Sequence, residues 1–272
     1  MKYCRFLFED QTHYGAVEER GGELWIVDLA PAPEEDLAFR LEHGRATSWS
    51  FDFEPMPLNA AELLPPAKPS KIVCVGRNYR EHARELGNEE PVEPLIFFKP
   101  PSSLLAPGGV VRLPKVSDRV DFEGELALVI GKRVRKLKPD DDWRQVVRGF
   151  TMANDISARD LQKKDAQWTR AKGFDTFCPL GPVVSDELHL DAGLTLETRI
   201  NGEPRQHGST ADFIFRIPAL LSYITAAMTL EPGDLVLTGT PSGVGPLAPG
   251  DRVEVSVPGL GVLANAVEAD AD

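Results

Sequence analysis

The segment Glu123-Gly124-Glu125 points most directly to chemistry. Side chains two apart in a strand share a face, so both carboxylates project the same way. Two like charges on an apolar strand are unfavourable unless a cation or solvent separates them. Gly124 leaves little bulk on the opposite face. The pair alone is equally consistent with an exposed edge strand carrying solvated acids. Asp155 tilts the balance, because it ends the apolar run GFTMAN, where a buried carboxylate needs a partner. Three carboxylates without a nearby histidine or cysteine suit a hard cation that keeps water ligands, Mg²⁺ or Mn²⁺ rather than Zn²⁺. Asp155 could instead cap a helix over ISARDLQ.

His82 and Glu85 form a second pair, three apart on a predicted helix and so on one face. A carboxylate beside an imidazole fixes its tautomer and stabilises its protonated form, as a general base requires. The alternative is a surface helix with an incidental ion pair. Gly76 and Gly87 flank the helix and would let it act as a hinged lid. The loop Gly239-Thr240-Pro241-Ser242-Gly243-Val244-Gly245 offers backbone amides for a carboxylate, without the helix that a dinucleotide fingerprint requires. Lys172 is a candidate electrophilic cation, although most lysines are simply solvated.

The elements that must position these groups read as largely β. Twenty-three glycines and twenty-three prolines in 272 residues predict a turn-rich chain. Residues 1–64 alternate apolar and polar in short runs, with Gly21–Gly22 between two of them, which predicts a small hairpin-based unit. LLPPAKPSK reads as a linker, placing a boundary between a unit at 1–66 and a larger one at 67–272. IVCVG and VDFEGELALVI are predicted strands, and GFTMAND leads from a strand into a helix and loop. The pattern L-x-P-G-D-x-V occurs at 230–236 and 247–253, each time predicting a tight turn that feeds a strand. His13 and His43 lack acidic partners at useful spacing and are expected on the surface.

A net charge of −12 argues against general nucleic-acid binding, and an anionic substrate would need its own cluster of cations. Three scattered cysteines, Cys4, Cys74 and Cys178, argue against a disulfide framework and a Cys-based zinc site, and suit a reducing compartment. The longest apolar stretch, Ile217 to Leu230, is too short to span a bilayer and reads as a buried helix. A cytoplasmic globular protein that binds no membrane is expected.

Taken in order, VGRNYREHARELG, FFKPPSSL, DFEGELALVIG, ANDISARDLQ, AKGFDTFCPLGP and LEPGDLVLTGTPSGVG resemble the fumarylacetoacetate hydrolase superfamily over roughly residues 70–257. The resemblance implies an α+β, β-rich fold: a mixed β-roll or sandwich catalytic domain behind a small N-terminal β unit, usually in a homodimer. It implies one Mg²⁺ or Mn²⁺ per site on Glu123, Glu125 and Asp155, and a lid dyad of His82 and Glu85. It further implies substrate contacts from Arg159, Gln162, Lys172 and Thr240. No acid stands in the strand before His82, and Glu85 shares its helix, a departure from fumarylacetoacetate hydrolase proper. The pattern is closer to acylpyruvate hydrolases, oxaloacetate decarboxylases and the homoprotocatechuate-pathway isomerases. The implied substrate is a small 2-oxo acid. The leading expectation is hydrolysis of the C–C bond of a 2,4-dioxo acid. The alternative is decarboxylation or tautomerisation of a 2-oxo dicarboxylate such as oxaloacetate or 2-hydroxyhepta-2,4-diene-1,7-dioate.

Overall fold

The computed structural model describes residues 1–33, 53–85, 87 and 89–271, and within them the chain is strand-rich with short helices. It begins with an antiparallel meander of β1 (Lys2–Phe8), β2 (Gln11–Arg20) and β3 (Glu23–Ala30). Gly21 and Gly22 join β2 to β3 with φ of 61° and 87°, the two left-handed positions a tight hairpin turn demands. The short β4 (Met56–Pro57) and β5 (Glu62–Leu64) then pair with β3 and β1. The segment expected to be a linker therefore starts inside a strand, because Leu63 and Leu64 are held by the β1 ladder. β1 also bonds to β14 (Cys178–Ser185), so the sheet runs on from the first residues into the rest of the chain.

β6 (Ile72–Gly76), β7 (Leu95–Lys99), β8 (Leu104–Leu105), β11 (Gly124–Ile130), β12 (Val147–Asn154) and β17 (Leu235–Leu237) complete this twelve-stranded mixed sheet. β10 (Val120–Phe122), β13 (Ser157–Ala158) and β18 (Gly245–Pro246) form a three-stranded sheet. β9 (Val110–Leu113), β15 (Thr195–Ile200), β16 (Glu203–Ser209), β19 (Arg252–Val257) and β20 (Gly261–Ala269) form a five-stranded one. In β11, Leu126, Leu128 and Ile130 enter one core cluster with Leu196 and Val255 of the five-stranded sheet. Ala127 and Val129 enter a second cluster on the opposite face, with Cys74 and Ala153. A strand covered on both faces needs no polar alternation, which explains the unbroken run LALVI.

Gly124 is required by this packing. A Cβ there would lie 2.2 Å from Thr198 Oγ1 and 3.2 Å from the methyls of Val255, so only glycine lets the two sheets close over it. The helix Ile217–Ala227 buries Ile217, Leu220, Leu221 and Ile224 in the first cluster, as the apolar stretch predicts. No described helix is long and apolar enough to cross a membrane.

Both L-x-P-G-D-x-V turns feed strands, β17 and β19, and both close in the same way. Asp234 Oδ2 accepts from the amide of Glu231 at 2.8 Å, and Asp251 Oδ2 accepts from that of Ala248 at 2.7 Å. Asp234 is buried and also takes the amides of Ser70 and Lys71. His13 corrects the sequence expectation. It is buried rather than on the surface, because its register opposite Phe6 turns it inward beside the rings of Phe6 and Phe8. His43 lies outside the described residues.

Candidate active site

The site forms where one strand pair crosses from the large sheet into the three-stranded sheet. β11 and β12 pair with Gly124 opposite Asn154, and beyond the corner β10 and β13 pair with Asp121 opposite Ser157. These two pairings share one register, which puts Glu123 directly opposite Asp155. The amide of Asp155 donates to Glu123 O at 2.8 Å, and the amide of Glu123 donates to Asn154 Oδ1 at 2.9 Å. Glu123 thus sits at the corner itself, between β10 and β11, rather than inside a strand as the sequence suggests. Glu125 follows two residues on, in β11. Ligand oxygens of Glu123, Glu125 and Asp155 all lie within 4.8 Å of one another, and all three residues are buried.

Cations crowd two of these acids. Lys172 Nζ donates to Glu123 Oε2 at 2.8 Å and to Asp155 Oδ2 at 2.6 Å. Lys99 Nζ donates to Asp155 Oδ1 at 2.7 Å and to Ile156 O at 3.1 Å. Arg159 contacts Glu123 through Nη2, Asp121 through Nε at 2.9 Å, and Gln162 through Nη1 at 2.7 Å. Arg119 holds the other side of Asp121 at 2.8 and 3.2 Å. Burial alone would raise the pKa of Glu123, but Lys172 and then Arg159 outweigh it and hold the carboxyl well below its usual range. The acids in turn raise Lys172 against the lowering effect of its own burial, so its ammonium stays charged.

Glu125 is different. Burial, and then the Asp155 and Glu123 carboxylates, push its pKa well above normal. The amide of Gly239 donates to its Oε2 at 2.7 Å. None of the four cations bonds to it. An oxygen-only, buried donor set in which one carboxylate lacks a countercharge fits a hard divalent cation. Gly239 makes that amide contact possible. Its φ is +96°, and a Cβ there would lie 2.8 Å from Asn78 Cβ.

His82 is buried on the short helix Arg80–Glu85, and its Nδ1 lies 3.2 Å from Glu85 Oε2. Glu85 Oε1 also accepts from the amide of Gly243 at 3.0 Å, which ties the helix to the glycine loop. Thr240 Oγ1 donates to Gly124 O at 2.8 Å and accepts from Gln206 Nε2 at 2.7 Å, so this loop is anchored on the corner. A cavity of about 650 Å³ opens over these groups. Phe97, Trp168, Val75 and Val244 form apolar parts of its wall. Lys172 Nζ lies 4.9 Å from the Phe97 ring centre, which stacks edge-on against Trp168.

All nine residues singled out in the sequence line this cavity: His82, Glu85, Glu123, Glu125, Asp155, Arg159, Gln162, Lys172 and Thr240. Asp155 caps no helix. The next one is Arg159–Lys164, after β13, and its N-cap residue is Ala158. Lys172 ends a further short helix, Thr169–Lys172, in what the sequence suggests is loop. Sequence reasoning missed Lys99, Asp121 and Arg119. Lys99 carries the same signal as Asp155, a charge at the end of an apolar strand, and Asp121 extends the alternation of Glu123 and Glu125 by one step.

Residues 71–268 match the family model described as fumarylacetoacetate (FAA) hydrolase C-terminal. The chain is 46% identical over 196 residues to a mitochondrial oxaloacetate tautomerase of Arabidopsis thaliana, covering 70% of this chain and 87% of that protein. It is 43% identical over 216 residues to an oxaloacetate tautomerase of Bacillus subtilis, covering 75% of this chain and 71% of that one. The crystal structure of 2-hydroxyhepta-2,4-diene-1,7-dioate isomerase from Mycobacterium marinum superposes with a TM-score of 0.83 at 38% identity, and each chain is fully covered.

Proposed function

The chain belongs to the fumarylacetoacetate hydrolase family, and from that premise we propose that it is a metal-dependent tautomerase or decarboxylase of a 2-oxo dicarboxylate such as oxaloacetate. The observation that carries this reading is the number of cations on one cavity. Arg77, Arg119, Arg159, Lys163 and Lys172 all line it, and three of them are paired with the site's own acids. The other two, Arg77 and Lys163, have no acidic partner among the described residues, which leaves cations for a second carboxylate in a chain of net charge −12. The names of the relatives favour the same branch over the C–C hydrolysis the sequence puts first.

Glu123, Glu125 and Asp155 would hold Mg²⁺ or Mn²⁺, which supplies Lewis acidity toward the 2-oxo and adjacent carboxylate oxygens. The residues of the chain supply the rest. Glu85 holds the Nδ1 side of His82, leaving Nε2 to take a proton from C3 and deliver it to the 2-oxygen, or to carry it the other way from enol to ketone. The C–H electron pair becomes the C2–C3 double bond, and the 2-oxygen gains the charge. Lys172 uses two of its three donors on Glu123 and Asp155, and the third is available to that oxygen. Thr240 and Gln162 line the same space and would orient the substrate.

The test follows the enol absorbance of oxaloacetate with purified protein, with Mn²⁺ or with EDTA, while a coupled assay detects pyruvate. Metal-dependent loss of enol without pyruvate is the expected result for a tautomerase, and stoichiometric pyruvate that for a decarboxylase. Cleavage of acetylpyruvate with oxaloacetate untouched would overturn the proposal in favour of hydrolysis.

A further inference from the structure

Five cationic side chains line the cavity, and three of them are committed. Arg119 is bonded to Asp121, Arg159 to Asp121 and Glu123, and Lys172 to Glu123 and Asp155. Arg77 and Lys163 have no acidic partner among the described residues. Lys163 is exposed on the helix Arg159–Lys164, whereas Arg77 is partly buried between β6 and the His82 helix.

The backbone of Arg77 is unusual as well. Its φ is +56°, in the left-handed region that a residue with a Cβ seldom enters. Such a conformation persists only where its surroundings enforce it, and here both neighbours are fixed. Gly76 is the last residue of β6, and a Cβ there would meet Leu95 Cδ2 at 3.2 Å. Asn78 is buried. Its Oδ1 accepts from the amide of Phe215 at 2.8 Å, its Nδ2 donates to Thr238 O at 2.8 Å, and its carbonyl accepts from the amide of Ile214 at 2.8 Å. The strand end and the asparagine clamp together hold the left-handed turn at 77, and this turn places Arg77, which has no acidic partner among the described residues, in the cavity wall.

We propose that Arg77 is the specificity-determining residue of this cavity, gripping the remote carboxylate of the substrate, the one not adjacent to the 2-oxo group. The inference rests on the reading of the site as one for 2-oxo dicarboxylates. A guanidinium offers two parallel donors to a carboxylate, which an ammonium cannot, so the fork matters as well as the charge. The position also suits a sensor. Arg77 lies five residues before His82, so a substrate with both carboxylates engages the segment that leads into the base-bearing helix.

The experiment compares oxaloacetate with its 4-methyl ester, which lacks the remote charge, on the wild type and on Arg77→Met, Arg77→Lys and Arg77→Gly. Each is measured by kcat/KM and by quenching of tryptophan fluorescence, since Trp168 lines the cavity. Arg77→Gly guards against misfolding, because glycine adopts this φ without strain. The diacid-over-ester ratio is expected to fall about tenfold to a hundredfold in Arg77→Met and Arg77→Gly, the effect of losing one charge-assisted pair. Arg77→Lys should fall between these variants and the wild type. A ratio within twofold of wild type in both Arg77→Met and Arg77→Gly, or equal losses on diacid and ester, would overturn the proposal. Wild-type protein that binds the diacid with an Arg77-dependent preference yet turns over neither compound would instead overturn the functional reading and leave the assignment of Arg77 standing.

Discussion

Replacing Lys99 by methionine tests the electrostatic reading of the site without touching a proposed ligand. The wild-type ammonium is fully buried, 2.7 Å from Asp155 Oδ1 and 3.1 Å from Ile156 O. Methionine keeps most of the volume, so cavity formation contributes little. Removing one partner of a buried ion pair costs about 3–5 kcal/mol, because the other charge is left uncompensated. Asp155 keeps Lys172 at 2.6 Å, which places the expected loss at the low end, about 3 kcal/mol. For a chain of this size that is a fall of about 6–12 °C in Tm. The freed carboxylate should also bind a divalent cation more tightly, so saturating Mn²⁺ should stabilise Lys99→Met more than the wild type. At a hundred times Kd the wild type gains about 2.7 kcal/mol by mass action. Adding Asp155→Asn to Lys99→Met should recover at least half of the loss. Calorimetry with EDTA and with Mn²⁺ reads all three quantities. A loss under about 1 kcal/mol, or one that Mn²⁺ leaves unchanged, would refute the argument that the lysine balances a charge the cation also serves.

Three further outcomes follow from the same geometry. Gly124→Ala places a Cβ 2.2 Å from Thr198 Oγ1, so urea unfolding should show a loss of about 1–3 kcal/mol from overpacking, partly restored by Thr198→Ala. Glu85→Gln removes the charge beside His82 Nδ1, and kcat in steady-state assays should fall about tenfold to a hundredfold. Burial pushes the thiols of Cys4 and Cys178 up to about 12 from 9.0 and raises Cys74 well above it, so iodoacetamide at pH 8 should label none in native protein and all three after unfolding. The sign of the linkage is fixed: the unfolded thiols lose protons first, so stability falls as pH rises from 9.0 toward about 12.

Much of the site was legible because charge on an apolar strand is a local signal. Glu123, Glu125 and Asp155 stand out from the residues around them without any knowledge of pairing. Lys99 carries the same signal at the end of LIFFK, but a weaker one, since a lone lysine at a strand end is ordinarily solvated. What the sequence does not carry is the register. Glu123 faces Asp155 only because the ladder holds its register through a corner between two sheets, a pairing across about thirty residues that no periodicity encodes. The misplacement of His13 has the same origin. A single alternating strand does not say which face meets the core, and the pairing of β1 with β2 decides it. The turns after Pro232 and Pro249 were readable because glycine and aspartate act within a few residues of themselves.

On the proposed function, the distribution of charge accounts for how a chain of net charge −12 would receive an anion in this cavity. Asp121, Glu123, Glu125 and Asp155 face Arg119, Arg159, Lys99 and Lys172, yet every bond among them serves Asp121, Glu123 or Asp155. Glu125 is left over, and without a cation its raised pKa keeps it in its neutral form more than its neighbours. A divalent cation held by the triad would let Glu125 ionise and would leave the cluster with two positive charges in excess, which would complement the proposed dianion. On that reading metal and dicarboxylate binding are expected to be coupled, and linkage requires such coupling to be reciprocal. Titration of Mn²⁺ with and without malate, and of malate with and without Mn²⁺, should return the same factor, about 5- to 150-fold. Glu125→Gln should weaken Mn²⁺ binding itself but enlarge that factor, because no carboxylate forms at 125 and the cation then adds two positive charges to the cluster rather than one. Binding of malate that is indifferent to Mn²⁺ would mean that the fixed cations Arg77 and Lys163 hold the anion alone, and that the triad plays no part in its recognition.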